Sequence, residues 1–563
     1  MNLFKRLPIS GVFLSRNLLK NLLKFLGPIL MCTILAFGMV ITPAEASTIY
    51  VRKNAHSPEA KKDLESLKIA FEKMRAMDCT NPLSWYYQGA IHWLPTKPEE
   101  IVGLTSNPLC SSYTQSNPGF QIAWNNCTHI ENSTTSGRNF LVWHRFYLYH
   151  FENIVRVLSG NKDFALPYWR YISLDSLPSK TVPENKIFLT MPKAFIEPAI
   201  LYKKDQNEQF VGNSLYEDGR SERLLNGEEI DQKFLEMQLY KGVEDLRNKR
   251  EFVDFNTLIE LNPHIIMHPY IGGLDFQTPD IRFYPPKNGF NKIYNSQKNT
   301  GLVTEIPSAG FDPIFWLHHG NIDRLWAQWT TEEGKLVTLA DLQADNENHW
   351  QYKFFDAVVK HDGTIESKEV TYTLEKVIEK VYDLGYKYDD TPIVNDDTPI
   401  VKLSSEQPSI SAKKFASREI NKVVDSEHPL KVEVNLTSQK LTEFRLLDQI
   451  NPNSPDFNGY TLKIDVTYTG RPYSTYDVYL DLPNDESKSD INTFFVGTIA
   501  FLVSPTAEPV TKNFEFDITD ELIQQARKRI LERNSKNVSL LIQKASGDDN
   551  ESLNVERIAL YEK

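Results

Sequence analysis

Six histidines fall into two groups of three along the chain, and this grouping is typical of a pair of metal sites. The two groups consist, in chain order, of His92, His129, His144, His264, His268 and His319. The chain has only 12 histidines, so half of them belong to these groups. Neutral imidazole is a good ligand for copper. Two sets of three imidazoles suit two adjacent copper ions, so the sequence predicts a dicopper centre.

The second group has the clearer spacing. His264 and His268 are four residues apart, so on a helix they share one face and can hold one metal ion. Zinc proteases use the same spacing, but there a glutamate follows the first histidine as general base. Ile265 occupies that position here, which disfavours zinc hydrolysis. On this segment alone, two packed histidines without a metal remain an alternative.

The third histidine of the second group lies in a segment with strong helix signals. Asp312 can cap a helix whose first position is Pro313. His318 and His319 then lie about 100° apart around the helix. Asp323 is four residues after His319, where a carboxylate can accept the second ring N–H of a ligand. We therefore assign His319 to the metal and His318 to a supporting or packing role.

The first group is more dispersed. His144 lies in residues 140–152, a segment so apolar that a helix there is expected to be buried. His92 follows a run of aromatic residues in the same way. A buried histidine of this kind is either hydrogen-bonded in the core or bound to a metal. For His92 and His144, metal binding is favoured only because the second group of histidines already indicates a metal site.

Three motifs, taken in order, resemble the tyrosinase and polyphenol oxidase family of type-3 copper proteins. They are the Trp-His-Arg segment that begins at Trp143, the His-x-x-x-His pair, and the Asp-Pro-x-Phe-x-x-His-His segment that begins at Asp312. The resemblance implies that each group of three histidines binds one of two copper ions per chain. It also implies a mainly α catalytic domain, with a four-helix bundle around the copper pair, and phenols and O2 as substrates.

The same resemblance assigns roles near the second group. Glu260 aligns with a glutamate that orients a water able to deprotonate a monophenol, although a helix N-terminal charge is an equally good interpretation from sequence. Ile265 stands where strong monophenol hydroxylases often carry asparagine, and Ile306 where plant enzymes carry a bulky phenylalanine. We therefore predict oxidation of catechols to o-quinones, with weaker monophenol hydroxylation. Reversible O2 binding without turnover, as in hemocyanins, is the alternative function.

The cysteines fit an oxidising compartment. In some family members a cysteine two residues before the second histidine forms a thioether with it, and Cys127 has this spacing from His129. A free thiol is the alternative. If Cys127 is so used, Cys79 and Cys110 are the natural disulfide pair. Three reduced thiols remain the alternative to that pairing.

Composition and the N-terminal segment indicate which binding partners and which location to expect. The 563 residues carry a net charge of −12, which argues against nucleic acid or an anionic membrane as partner. Residues 1–46 combine basic residues, an apolar run over 25–41 and small residues before Ser47. We predict an export signal and a periplasmic or secreted protein without membrane attachment after cleavage. A retained anchor is the alternative.

Three further regions follow the signal. Residues 47–388 are predicted to form the catalytic domain, closed by a tyrosine motif at Tyr386 and Tyr388 that resembles plant-type enzymes. Residues 389–426, with a repeated Asp-Asp-Thr-Pro-Ile-Val, are predicted to be a solvated linker that is protease-sensitive over 403–425. Residues 427–563 alternate as antiparallel strands do and predict a β-sandwich, interrupted by a helix from Glu521 to Arg533 capped by Thr519 or Asp520. By resemblance, this domain keeps the enzyme latent.

Overall fold

The computed structural model describes residues 49–92, 139–175, 188–204, 207–273, 301–304, 306–333, 335–342, 351–391, 413–449, 459–470, 472, 474–483, 493–501, 506–528, 530, 537–546 and 551–562. The predicted export signal, His129, Cys110 and Cys127 lie outside these residues. Within them, no helix has both the length and the apolar character needed to cross a bilayer.

Helices dominate the region that precedes residue 392. The described helices of the chain are α1 (Lys61–Ala76), α2 (Trp85–His92), α3 (Phe140–Ser159), α4 (Glu222–Leu225), α5 (Gln232–Phe234), α6 (Lys241–Arg247), α7 (Phe252–Ile259), α8 (Ile266–Ile271), α9 (Ile306–Ala309), α10 (Ile314–Glu333), α11 (Leu339–Leu342), α12 (Leu374–Lys380), α13 (Ser438–Arg445) and α14 (Thr519–Arg527). π-Helical turns at Leu235–Tyr240 and Glu260–Ile265 lead into α6 and α8.

The two longest helices follow the sequence signals. Helix α3 is buried along almost its whole length and ends at Gly160, whose φ of 74° is the left-handed conformation common at helix C-termini. Helix α10 begins just after Asp312, whose Oδ1 accepts the backbone N–H of Ile314 at 3.1 Å. These observations confirm the buried helix around His144 and the helix start at Asp312.

The segment with the His-x-x-x-His pair is more irregular than a single helix. Asn262 has extended dihedral angles (φ −151°, ψ 123°) inside the π-helical turn, because the residue before a proline is disfavoured in the α region. Helical geometry resumes at Ile265 and Ile266 (φ −59° and −68°). His264 and His268 therefore still lie on successive turns of one face.

Short strands support the helical core. Strand β1 (Tyr50–Arg52) pairs in parallel with β6 (Tyr386–Tyr388), which joins the beginning of the described chain to the tyrosine motif. Two antiparallel hairpins, β2–β3 (Ala199–Lys204, Asn207–Gly212) and β4–β5 (Gln351–Val359, Ile365–Thr373), complete this region. Strand β4 packs along α3, the helix that carries His144.

The C-terminal region is an antiparallel β-sandwich, as the sequence predicts. Its strands are β7 (Lys413–Val424), β8 (Leu430–Asn435), β9 (Tyr460–Gly470), β10 (Thr475–Leu480), β11 (Phe495–Ile499), β12 (Thr506–Asp517), β13 (Asn537–Ser546) and β14 (Leu553–Glu562). The sheets have the orders β11-β10-β13-β8 and β12-β9-β14-β7. Apolar side chains from both sheets form one core, as expected when two sheets pack face to face.

Two details of this region differ from the sequence prediction. Strand β8 alternates between buried and exposed residues, but β10, an interior strand of its sheet, is buried throughout. Helix α14 ends at Arg527 rather than Arg533 and has no side-chain cap. The hydroxyl of Thr519 instead accepts the backbone N–H of Tyr460 at 2.8 Å, so it bonds a strand rather than its own helix.

The predicted solvated linker at 389–426 is wrong at both ends. Asp390 Oδ2 lies 2.6 Å from the guanidinium groups of both Arg324 and Arg170, and Asp389 accepts the Tyr168 hydroxyl at 2.6 Å. Residues 413–424 form strand β7 of the sandwich. Buried arginines that need carboxylate partners explain why this acidic segment is anchored rather than solvated.

Candidate metal centre

Five of the six predicted ligands lie in the described residues, and all five are buried. Helix α2 ends at His92, α3 carries His144, the turn before α8 carries His264, and α8 carries His268. Helix α10 carries His319. None of these side chains is more than 2% exposed, so the helical core places imidazoles where water does not reach.

The structure brings these side chains into two sets that meet at one residue. The sets consist of His264, His268, His318 and His319, and of His92, His144 and His319. Within each set, one nitrogen from every ring lies within 4.8 Å of the others. The two predicted groups are therefore neighbours, and His319 lies between them.

Backbone carbonyls fix how three of the rings present their nitrogens. Nδ1 of His144 donates to Phe140 O at 2.8 Å, and Nδ1 of His264 donates to Glu260 O at 3.2 Å. Nδ1 of His268 bonds a further carbonyl at 2.7 Å. Because a carbonyl oxygen can only accept, each Nδ1 carries the proton and each Nε2 keeps its lone pair. Metal-binding histidines are held in this way.

The Nε2 atoms of the second set converge. Nε2 of His264 lies 3.0 Å from Nε2 of His268 and 3.3 Å from Nε2 of His319. Separations of about 3 Å match nitrogen ligands around one metal ion with bonds of about 2.0 Å. Facing lone pairs repel each other unless a cation lies among them. The donor set therefore fits a copper ion.

The first set is arranged around His144. Its ring stacks on that of His319, with centroids 4.3 Å apart and an interplanar angle of 8°. The ring of His92 lies 5.4 Å from that of His144. Two of the three ligands predicted for the first copper, His92 and His144, are thus adjacent to the second set, and the third predicted ligand, His129, lies outside the described residues.

Burial keeps the two adjacent histidines of α10 neutral. Burial, followed by the neighbouring His268 and His144, holds the pKa of His318 well below its usual value. Burial and His144 do the same for the pKa of His319. The neutral imidazole is the form that binds metals. His318 belongs to the second set, although its position on the helix predicted a supporting role. Its Nδ1 lies 2.8 Å from the Tyr171 hydroxyl.

Asp323 is the centre of a buried charged network. Its Oδ1 accepts Nε of Arg145 at 2.6 Å, and its Oδ2 accepts Arg52 at 3.0 Å. The hydroxyls of Tyr386 and Tyr388 donate to the same Oδ2, each at 2.6 Å. Burial opposes ionisation of Asp323, but the charges of Arg145 and Arg52 outweigh it and lower the pKa of the carboxyl.

This network corrects the role predicted for Asp323. We expected its carboxylate to accept the second ring N–H of His319, but Nδ1 of His319 is buried and has no hydrogen-bond partner among the described residues. The oxygens of Asp323 are instead occupied by arginines and tyrosines, because a buried guanidinium requires an anionic partner. Arg52, which also pairs with Glu152 at 2.7 Å, was missed from sequence.

Two of the three residues predicted to control substrates, Glu260 and Ile265, lie in the same turn as His264. Glu260 is 1% exposed and directly follows the last residue of α7, so it does not complement a helix N-terminus. Ile265, next to His264, is 4% exposed. Ile306 begins α9, and its side chain is not described. The water-orienting role of Glu260 stays a prediction.

Of the three cysteines with predicted roles, Cys79 lies in the described residues. Cys79 is disulfide-bonded, which excludes the alternative of three reduced thiols. Its predicted partner Cys110, and the predicted thioether between Cys127 and His129, lie outside the described residues.

Residues 82–332 match the family model for the common central domain of tyrosinase. A tyrosinase of Hahella sp. (strain CCB-MM4) is 26% identical over 509 residues, which cover 87% of this chain and 95% of that protein. The chloroplastic polyphenol oxidase B of Solanum lycopersicum is 22% identical over 459 residues, covering 78% of this chain and 65% of that protein. The chain thus spans somewhat less than two thirds of the tomato protein.

Solved structures share the whole architecture. A latent aurone synthase (polyphenol oxidase) superposes with a TM-score of 0.52 at 17% identity, covering 92% of this chain and 91% of the other. A latent apple tyrosinase gives 0.51 at 18% identity, covering 92% and 98%. At these identities the likeness establishes a shared fold, a helical core followed by a sheet domain.

Proposed function

We propose that the chain belongs to the tyrosinase and polyphenol oxidase family of oxidoreductases, which its central domain and its relatives resemble, and that it oxidises o-diphenols to o-quinones with O2. Each diphenol gives up two electrons and two protons, so two diphenols reduce one O2 to two waters. Two copper ions, once bound, supply the activation of O2 and accept the electrons of the phenol. The alternative of hemocyanin-like O2 binding uses the same ligands without turnover.

The observation that carries the proposal is the convergence of Nε2 lone pairs in the second set. His264, His268 and His319 would hold one copper ion, and His92, His144 and His129 the other. The helices that carry the described ligands would form the four-helix bundle expected around such a pair. Their carbonyl-anchored rings hold the ligand nitrogens in place before a metal arrives, which favours rapid and specific binding.

The surroundings of His264 support a preference for diphenols. Ile265 offers no polar atom beside the ligand, so a water that deprotonates a monophenol would be held by Glu260 alone. A catechol needs no hydroxylation and is less dependent on that base. We expect faster oxidation of catechol than hydroxylation of tyramine; the reverse order of rates would overturn this preference.

Contacts between the sandwich and the helical region support latency. Lys241 pairs with Glu521, and Lys249 with Asp517. Ala500, which follows β11, packs into the hydrophobic core of the helical region. Residues 413–424 of the predicted protease-sensitive stretch 403–425 form strand β7, so we expect the cut before residue 413. Limited proteolysis in that stretch should raise catechol oxidation, and unchanged activity after the cut would contradict latency.

The central test measures copper and turnover together. The full chain should contain about two copper ions and oxidise catechol, whereas His264→Ala should lose at least one ion and nearly all turnover. His428, whose side chain is 73% exposed on the sandwich, provides the matched control, and His428→Ala should change neither. Copper binding with reversible O2 uptake but no catechol turnover would favour the hemocyanin-like alternative.

Export belongs to the same proposal. The disulfide at Cys79 suits an oxidising compartment, as the basic leader and apolar run of residues 1–46 predict. N-terminal sequencing of the mature protein should find Ser47, and an N-terminus at Met1 in a membrane fraction would favour the retained anchor.

A further inference from the structure

The turn that carries His264 is tied to its neighbour by one side chain. Asn262 lies two residues before His264 with an extended backbone inside the π-helical turn. Its Nδ2 donates to the backbone carbonyl of Gln238 at 2.9 Å. The Asn262 side chain also fills the space above Gly242, where a Cβ would overlap it. The position of this turn therefore depends on where residues 238–242 lie.

The same Gln238 contacts the sandwich. Its Nε2 donates to Thr498 Oγ1 at 2.8 Å, and that hydroxyl donates to Asp477 Oδ1 at 2.6 Å. Gln238 is only 7% exposed and Asp477 only 9%, so these polar bonds are shielded from water. One residue thus bonds the sandwich through its side chain and the turn before His264 through its backbone.

We propose that the docked sandwich positions the His264 turn through Thr498, Gln238 and Asn262, with Asn262 as the positioning residue. The identity of the metal in this inference rests on the proposed function. The coupling between the sandwich and the His264 turn does not depend on which metal is bound. Docking then does more than cover a site. It holds the turn that carries Glu260 and His264 in position, so copper at the second set is retained more strongly while the sandwich is docked. Residues that orient metal ligands commonly change metal affinity 10- to 100-fold when altered, as an order of magnitude.

Hydrogen exchange in the full chain without metal tests the coupling directly. Thr498→Val keeps the shape of the side chain but removes the acceptor for Gln238, and Asn262→Asp removes the donor to the Gln238 carbonyl. Both should speed exchange in a peptide covering residues 258–268 by about fivefold, the effect of one lost hydrogen bond. Thr511→Val is the matched control, because Thr511 bonds Thr467 within the sandwich, and it should leave this peptide unchanged.

Copper release to a chelator is the second measurement. Thr498→Val and Asn262→Asp should both release copper faster than the wild type and the Thr511 variant. If only Asn262→Asp changes exchange, or if Thr498→Val behaves as the control does, the coupling to the sandwich is overturned. If the wild-type chain binds no copper, the proposed function fails, while the exchange measurement still decides whether the coupling exists.

Discussion

At the scale of single residues, the predicted ligands and the charged groups near them have different partners. Backbone carbonyls orient His144, His264 and His268, while the carboxylates near the site form ion pairs with arginines. Asp323 is the clearest case, because two guanidinium groups share its oxygens at 3% side-chain exposure. Removing one partner of such a buried pair leaves a charge without compensation, which costs far more than a surface pair contributes.

Asp323→Asn should therefore destabilise the protein by about 3–5 kcal/mol, since Arg145 loses its carboxylate partner and Arg52 keeps only Glu152. Urea unfolding of the full chain measures this loss. Asp163→Asn provides the control, because Asp163 is 84% exposed and its ion pair with Lys62 is long, at 3.8 Å. A variant with wild-type stability but reduced copper content would instead support the ligand-orienting role first expected for Asp323.

Glu260→Gln addresses the buried carboxyl next to the second set. A glutamine keeps the size of the side chain but cannot accept a proton, so hydroxylation of tyramine should fall by about 100-fold. Catechol oxidation should fall by less than about threefold, because a diphenol needs no such base for its first hydroxyl. Steady-state rates on both substrates give the ratio. An equal loss on both would assign Glu260 a structural role.

At the scale of elements, the sequence could predict those features of helices and strands that depend on nearby residues. The start of α10 at Asp312 and the alternation of β8 are set by neighbours in the chain, so both were predictable. The break at Asn262 follows from the next residue, a proline, but the sequence does not show that its amide bonds Gln238. Arg52 and Asp323 are 271 residues apart, and no local pattern reveals such a pair.

The anchored end of the catalytic region gives a prediction at this scale. Asp390→Asn leaves Arg324 and Arg170 without their shared carboxylate, which is 20% exposed. We expect a loss of about 2 kcal/mol, less than for a fully buried pair, together with faster hydrogen exchange in β6. Asp383→Asn is the control, since Asp383 is 78% exposed and bonds Lys380 at the surface. Unchanged exchange in β6 would show that the anchor does not hold this strand.

At the scale of the whole molecule, the sandwich and the helical region meet through an unequal set of charges. Lys241 and Lys249 face three carboxyls, those of Asp245, Glu521 and Asp517. Burial raises the pKa of Asp245 well above its usual value, the lysines oppose this, and Glu521 adds to it. The pKa of Asp245 is therefore coupled to the docking of the sandwich.

The sign of the resulting pH dependence follows from this raised pKa. A carboxyl whose pKa is raised by docking stabilises the docked state fully below its ordinary pKa, and loses that contribution as pH rises through the raised value. Docking should therefore weaken as the pH rises above the ordinary pKa of a carboxyl and through the raised pKa of Asp245. Hydrogen exchange of β11 measures it. Asp245→Asn carries no ionisable proton and should flatten the profile; an unaltered profile in that variant would exclude Asp245 as the source.

Sequence could predict the two regions but not how they meet. The apolar alternation of β8 and the helix signals around His144 each belong to one region. The bond between Gln238 and Thr498 joins residues from different regions, and nothing in strand β11 itself reveals it. For the same reason, spacing alone places His264 and His268 on one face, whereas the contacts that hold the His264 turn could not be predicted.

The anchoring of Asp389 and Asp390 has a consequence for a chain cut between the two regions. Strand β6 is joined to β1, and the residues just after it are held by Arg324, Arg170 and Tyr168, so a cut beyond residue 391 would leave these anchors in place. The core would acquire a new carboxyl terminus just beyond a segment that is already fixed. Such a cut would shorten the chain, while the contacts that fix the end of the helical region would remain.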